Sequence, residues 1–88
     1  MNRERRKNID ILQGKIQSVL GYIDEIKCDI ESLIYDEEEA YYNLPDSLRD
    51  SEKGDIMQEA IDNLKSALDC DLESAFEECD SYLEEAKG

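Results

Sequence analysis

Apolar residues in the first half of the chain recur on a seven-residue rhythm. With Ile9 at heptad position a, Ile9, Ile16, Ile23 and Ile30 all fall at a, and Leu12, Val19, Ile26 and Leu33 all fall at d. Four uninterrupted heptads predict an amphipathic helix with a coiled-coil seam. Asn8 is positioned as its N-cap, with the basic residues before it adding at most a frayed turn. The helix should end near Tyr42, because Pro45 disfavours helical backbone in the residue before it. Helix one is therefore expected over about residues 8–42.

The second half has a different period. Met57, Ile61, Leu64, Leu68, Leu72, Ala75, Cys79, Leu83 and Ala86 are spaced 4, 3, 4, 4, 3, 4, 4 and 3. This is an eleven-residue repeat, about 3.67 residues per turn, which implies little or slightly right-handed supercoiling. Ala60, Phe76 and Tyr82 widen the stripe, while Asp62, Asp69, Glu73, Glu77, Asp80 and Glu84 mostly face water. Helix two is expected over about residues 52–87, with Ser51 as N-cap and Gly54 in the first turn, where its cost is small. The connector, residues 43–51, holds the only proline and room for one short helical turn. Two helices of similar length joined by a short connector favour an antiparallel pair. The expected fold is all-α: one domain over 1–88, an antiparallel two-helix hairpin that dimerises into a four-helix bundle. Arg3, Arg5, Arg6 and Lys7 would then lie near Asp80, Glu84 and Glu85 at its open end.

Helix one has more apolar surface than one neighbour needs. Position e is apolar at Leu20, Ile34 and Tyr41, and the f column reads Gly14, Gly21, Cys28, Tyr35, Tyr42 without a charge. In a lone hairpin f should be the wettest column. The pattern points to a second contact face for self-association, built from Gly14, Leu20, Gly21, Ile34 and Tyr35. The plainer reading is a tolerant surface with scattered tyrosines.

Charge changes the picture further. The 88 residues hold 24 acids against 10 bases, a net of -14. Such a surface repels nucleic acid and anionic membrane, so the expected partner is a basic protein and direct nucleic-acid binding is not expected. The distribution is uneven: residues 1–27 are net +2 and residues 28–88 net -16. Around the connector lie Asp36, Glu37, Glu38, Glu39, Asp46, Asp50, Glu52 and Asp55, with Tyr41 and Tyr42 among them. Asp36 to Glu39 sit near the C-terminal end of helix one, where the macrodipole disfavours anions. These ten residues form the candidate partner-binding surface. One reading makes it a solvated face that keeps the chain dispersed. The other makes it a nucleic-acid mimic, with carboxylates occupying a site built for phosphates.

Catalytic chemistry is poorly supported. There is no histidine, hence no usual general base or imidazole metal ligand. No enzyme, cofactor or metal site is expected; Asp69-Cys70-Asp71-Leu72-Glu73 faintly resembles a calcium loop but lacks its glycine and closing Glu. Cys28, Cys70 and Cys79 form no CxxC pair, and an odd count with no preceding leader suggests reduced thiols in a cytosol. Cys79, on the apolar stripe, is expected to pack in the core. No apolar run approaches the ~20 residues of a membrane span, so no membrane association is expected.

The stretch Asp36-Glu-Glu-Glu-Ala-Tyr-Tyr-Asn-Leu-Pro-Asp-Ser-Leu48, followed by Ser51-Glu-Lys-Gly54 and Ala60-Ile-Asp-Asn-Leu64, resembles a family of small coiled-coil proteins encoded by phages and mobile elements of Gram-positive bacteria. The resemblance covers roughly residues 30–86, with the Asn-Leu-Pro connector as its most specific part. It transfers no catalytic residue. It implies a cytoplasmic bacterial setting and an accessory phage role, such as an anti-CRISPR or anti-restriction inhibitor. The functional expectation is a non-enzymatic protein-interaction module, with a structural homo-oligomeric assembly protein as the alternative.

Overall fold

A computed structural model describes residues 1–88. Helix accounts for 84% of the chain and there is no strand. The helices are α1 (Arg3–Tyr42), α2 (Asp46–Arg49), α3 (Glu52–Leu68) and α4 (Ser74–Ala86). They divide between two compact units. The first comprises Met1–Glu25 and Asp71–Gly88, and the second comprises Ile26–Cys70. No helix is long and apolar enough to cross a membrane.

Helix α1 starts earlier than its apolar pattern implied. Asn2, not Asn8, supplies the cap: its Oδ1 accepts the Arg5 backbone N–H at 2.9 Å, satisfying a donor that the first turn leaves unpaired. Its C-terminus falls at Tyr42, as Pro45 demands. The Leu44 amide closes onto the Tyr41 carbonyl at 3.2 Å, and Pro45 is extended at ψ 148.

The connector does contain one helical turn, α2. It is tied by Leu48 and Arg49 amides donating to the Pro45 carbonyl and by an Asp46–Arg49 ion pair. Ser51 stands at the N-cap of α3 with extended backbone, but its side chain does not cap. The hydroxyl instead donates back to the Leu48 carbonyl at 2.5 Å. Gly54 has a role that a helix-propensity reading missed. A Cβ there would fall inside contact distance of the Arg49 carbonyl oxygen, carbon and Cα. The backbone at the end of α2 therefore approaches α3 at the only residue type that allows it.

The single helix two expected over 52–87 is two helices. Residues 69–73 are non-helical between α3 and α4. The apolar spacing runs through this segment, but its polar chemistry does not favour helix. Asp69 and Asp71 are weak helix formers whose carboxylates compete for backbone amides, and Asp71 Oδ1 accepts the Ser74 N–H at 3.1 Å. That bond starts α4 anew.

In the first unit, α4 runs antiparallel to the N-terminal part of α1. Arg6 Nε donates to the Lys87 carbonyl at 3.0 Å, Gln13 Nε2 to Glu84 at 3.0 Å, and Lys87 Nζ to Asp10 at 3.0 Å. At this end, where Arg3, Arg5, Arg6 and Lys7 were expected near Asp80, Glu84 and Glu85, the ion pairs run from Lys87 to Asp10 and Glu84. Asp80 Oδ1 is enclosed with no hydrogen-bond partner.

Burial along α1 does not follow the a/d seam. The a column is covered: Ile9 and Ile23 are buried, Ile16 and Ile30 half-buried. The e column is covered too, with Ile34 buried and Gln13, Leu20, Lys27 and Tyr41 half-buried. The d column is not: Leu12 is 47%, Val19 36%, Ile26 46% and Leu33 54% exposed. The two seams share the four a-column isoleucines and differ by one position in every heptad. In the second unit, Ile61 on α3 is the most enclosed side chain, at 2% exposure.

Candidate functional site

The acidic surface is assembled from three helices of the second unit. Asp36, Glu37, Glu38 and Glu39 lie in the last two turns of α1, Asp46 opens α2, Asp50 follows it, and Glu52 and Asp55 lie in the first turn of α3. Six are exposed: Asp36, Glu39, Asp46, Asp50, Glu52 and Asp55. Glu37 and Glu38 are half-buried. Asp46 alone of the eight forms an ion pair. Tyr41 and Tyr42 meet edge to face with centroids 5.4 Å apart, Tyr42 largely exposed and Tyr41 half-covered. Tyr41 lines a small polar hollow with Asp46, Arg49 and Asp50.

The placement of these acids has two different causes. Asp46, Glu52 and Asp55 lie at helix N-termini, where the positive end of the dipole favours them. Of Asp36 to Glu39, only Glu39 lies in the last turn of α1, which holds no basic residue and where an anion costs a few tenths of a kcal/mol; the other three lie a turn earlier, where the dipole neither favours nor much opposes them. Helix stability accounts for the first group and not for the second. Overall the second unit holds thirteen acids and four bases, and the first unit eleven acids and six bases.

The five residues expected to support self-association divide. Ile34 is buried and Leu20 half-buried within the single chain, so their apolar surface is already used. Gly14, Gly21 and Tyr35 are exposed, and both glycines face open space. The physical reason is the seam shift: α1 covers its e column and leaves its d column open. Sequence reasoning placed the d column in the covered seam and the e column on the open face; within the chain the e column is the covered one, and the f column is open as expected. The signal was present in the series Ile9, Gln13, Ile16, Leu20, Ile23, Lys27, Ile30, Ile34, but Gln13 and Lys27 disguise it as polar.

The uncovered face is concave in the first unit. Leu12, Ile16 and Val19 of α1 and Cys79 and Leu83 of α4 line an apolar groove of about 340 Å³, with Lys15 on its rim. A second hollow of about 420 Å³ along α4, lined by Ala75, Glu78 and Tyr82, shares Cys79 and Leu83 with it. Cys79 was expected in the core; it is exposed, at the join of the two hollows.

Electrostatic structure at this end centres on Lys87. Its ammonium contacts Glu84 at 2.9 Å and Asp10 at 3.0 Å. Hydrogen bonds from Gln13 and then Lys87 hold the Glu84 carboxyl below its ordinary pKa. The hydrogen bond to Glu84, then that to Asp10, raises Lys87 above its own. All three cysteines are free and exposed, and no group of three or more Cys, Asp or Glu side chains converges in a metal-binding arrangement. No protein-family model matches the chain, and no curated protein or solved structure matches it.

Proposed function

We propose that the chain is a non-enzymatic protein-interaction module, an antiparallel helical hairpin that self-associates and uses its acidic second unit to occupy a basic, nucleic-acid-binding surface of a partner protein. The observation that carries this reading is the run Asp36–Glu39 in the last two turns of α1: four acids that the helix dipole does not favour, beside exposed Tyr42 and the exposed acids of α2 and α3. Carboxylates on successive helix turns can stand in for phosphates, and tyrosine rings can stand in for stacked bases. An inhibitor of host defence in a bacterial cytoplasm is the form of this role that the resemblance to phage-encoded proteins suggests.

The test is capture and salt elution. The immobilised chain should retain from a bacterial lysate a nucleic-acid-binding protein that duplex DNA displaces, and moderate salt should release it, because screening weakens charge-driven contacts. A chain with Asp36→Asn, Glu39→Gln, Asp50→Asn and Glu52→Gln should lose it while keeping its helical circular dichroism. Retention that is indifferent to salt and to these substitutions would rule the mimic reading out.

A further inference from the structure

We infer that α4 is a detachable arm: it releases from α1 and unwinds, starting from the non-helical residues 69–73, while α3 stays folded. The inference stands apart from the acidic surface and from self-association.

Coverage separates the two helices. On α3, Gly54 and Ile61 are buried, and Met57, Leu64 and Leu68 are half-buried. On α4 no residue is buried. Leu83 is its one apolar side chain that is even half-covered; Phe76, Cys79 and Tyr82 are exposed. The other half-covered residue of α4 is an acid, Asp80. Its Oδ1 is enclosed without a hydrogen-bond partner, so docking α4 takes water from a carboxylate oxygen and supplies no donor in return. Glu77 and Glu84 lie three residues before and four after it, where like charges on one helix repel. The middle of the docked face therefore favours release.

The polar fastenings are all at one end. Arg6 to the Lys87 carbonyl, Gln13 to Glu84 and Lys87 to Asp10 engage the last turn of α4 or the residue just past it. All three are solvent-exposed and contribute little each.

The chain also permits the motion. The boundary between the two compact units falls between Cys70 and Asp71, inside the non-helical segment that separates α3 from α4. Helix α4 has 13 residues, and a helix this short is marginal in water without packing, so release and unwinding go together. Contiguous segments with few buried apolar contacts open at lower free energy than the whole molecule. Release would bare Ile9 and Ile16 of α1, which the first unit has only residues 71–88 to cover.

The experiment is native-state hydrogen exchange of the full chain, read amide by amide by nuclear magnetic resonance. Amides 78–86 should be protected relative to an unfolded peptide, yet about ten-fold or more less protected than amides 56–68. Ile61→Val, a mild truncation in the second unit, should speed exchange at 56–68 several-fold and leave 78–86 unchanged, because the arm opens without disturbing Ile61. Asp80→Leu should slow 78–86 about ten-fold or more, since it removes the enclosed acid and its like-charge neighbours' repulsion. Equal protection of the two helices, or an Ile61→Val chain in which both exchange faster together, would overturn the arm. So would amides 78–86 that are unprotected in the native chain, because α4 would then never dock, or that Asp80→Leu does not slow.

Discussion

The two compact units use the same materials differently. The second unit encloses Ile61 and Ile34 and lets backbone approach backbone at Gly54. Its polar links Asp46–Arg49, Ser51–Leu48 and Gln58–Asp62 join residues no more than four apart. The first unit buries Ile9 and Ile23 and joins α1 to α4 by exposed contacts that span more than seventy residues of sequence: Arg6 to Lys87, Gln13 to Glu84 and Asp10 to Lys87. Each unit thus buries two isoleucines, and the second adds a close backbone approach and polar links that are local in sequence, with most of the acids around its connector exposed. The first is held partly by solvent-screened polar contacts, which contribute little each, and both units leave apolar side chains uncovered, Leu12 and Val19 in the first and Leu33 and Ile56 in the second.

Ile61→Ala is expected to give the largest effect. Truncating so enclosed a side chain costs about 2–5 kcal/mol, and urea unfolding followed by circular dichroism should show it. A loss below 1 kcal/mol would mean that burial does not hold the second unit. Gly54→Ala comes next, at about 1–3 kcal/mol, because the methyl group must displace the Arg49 backbone. Gly21→Ala on the open face of α1 should do the reverse and stabilise by about 0.5–1 kcal/mol. Equal signs for the two glycines would remove the close approach of α2 and α3 from the account.

The smallest effect is a pH dependence confined to the first unit. Glu84 has a lowered pKa in the folded chain, so its contribution is present above the unfolded carboxylate value and is lost as pH falls through the lower folded value. Lys87 has a raised pKa, so its contribution is present below the unfolded lysine value and is lost as pH rises through the folded one. Lys87→Met should remove the alkaline limb of a plot of urea midpoint against pH and shrink the acid limb, part of which the Gln13 hydrogen bond to Glu84 retains. An unchanged profile would show that these exposed contacts contribute nothing to stability.

Much of this architecture is legible in the sequence. Pro45 and Ser51 mark the end of α1 and the start of α3 because each acts through local backbone preference, which needs no tertiary context. The break at 69–73 is hidden because Leu68 and Leu72 keep the apolar period while Asp71 takes a backbone amide, and side-chain capping overrides periodicity there. The seam of α1 is ambiguous for a different reason. Two heptad assignments share the same four isoleucines, and the one covered within the chain places Gln13 and Lys27 in its second column. Their long stems can cover apolar surface while their polar ends reach water or a partner, a property that an apolar count does not register. Gly54 is ordinary as helix chemistry and decisive only where the Arg49 backbone meets it. The acidic surface is the opposite case: its residues are visible in sequence, and the fold adds that three of the eight acids, Asp46, Glu52 and Asp55, have a reason in helix energetics and the other five do not.

The division of labour between the units is the central claim, and a residue-resolved titration tests it most directly. A short arginine-rich peptide added to the isotopically labelled full chain should shift backbone amides of residues 36–55 by nuclear magnetic resonance, leaving those of 12–19 and 75–83 in place. The acids of α4 make the outcome a real choice, since residues 71–88 are themselves net -6. Shifts centred on α4, or spread evenly over every acidic residue, would show that the second unit has no special claim to a basic partner.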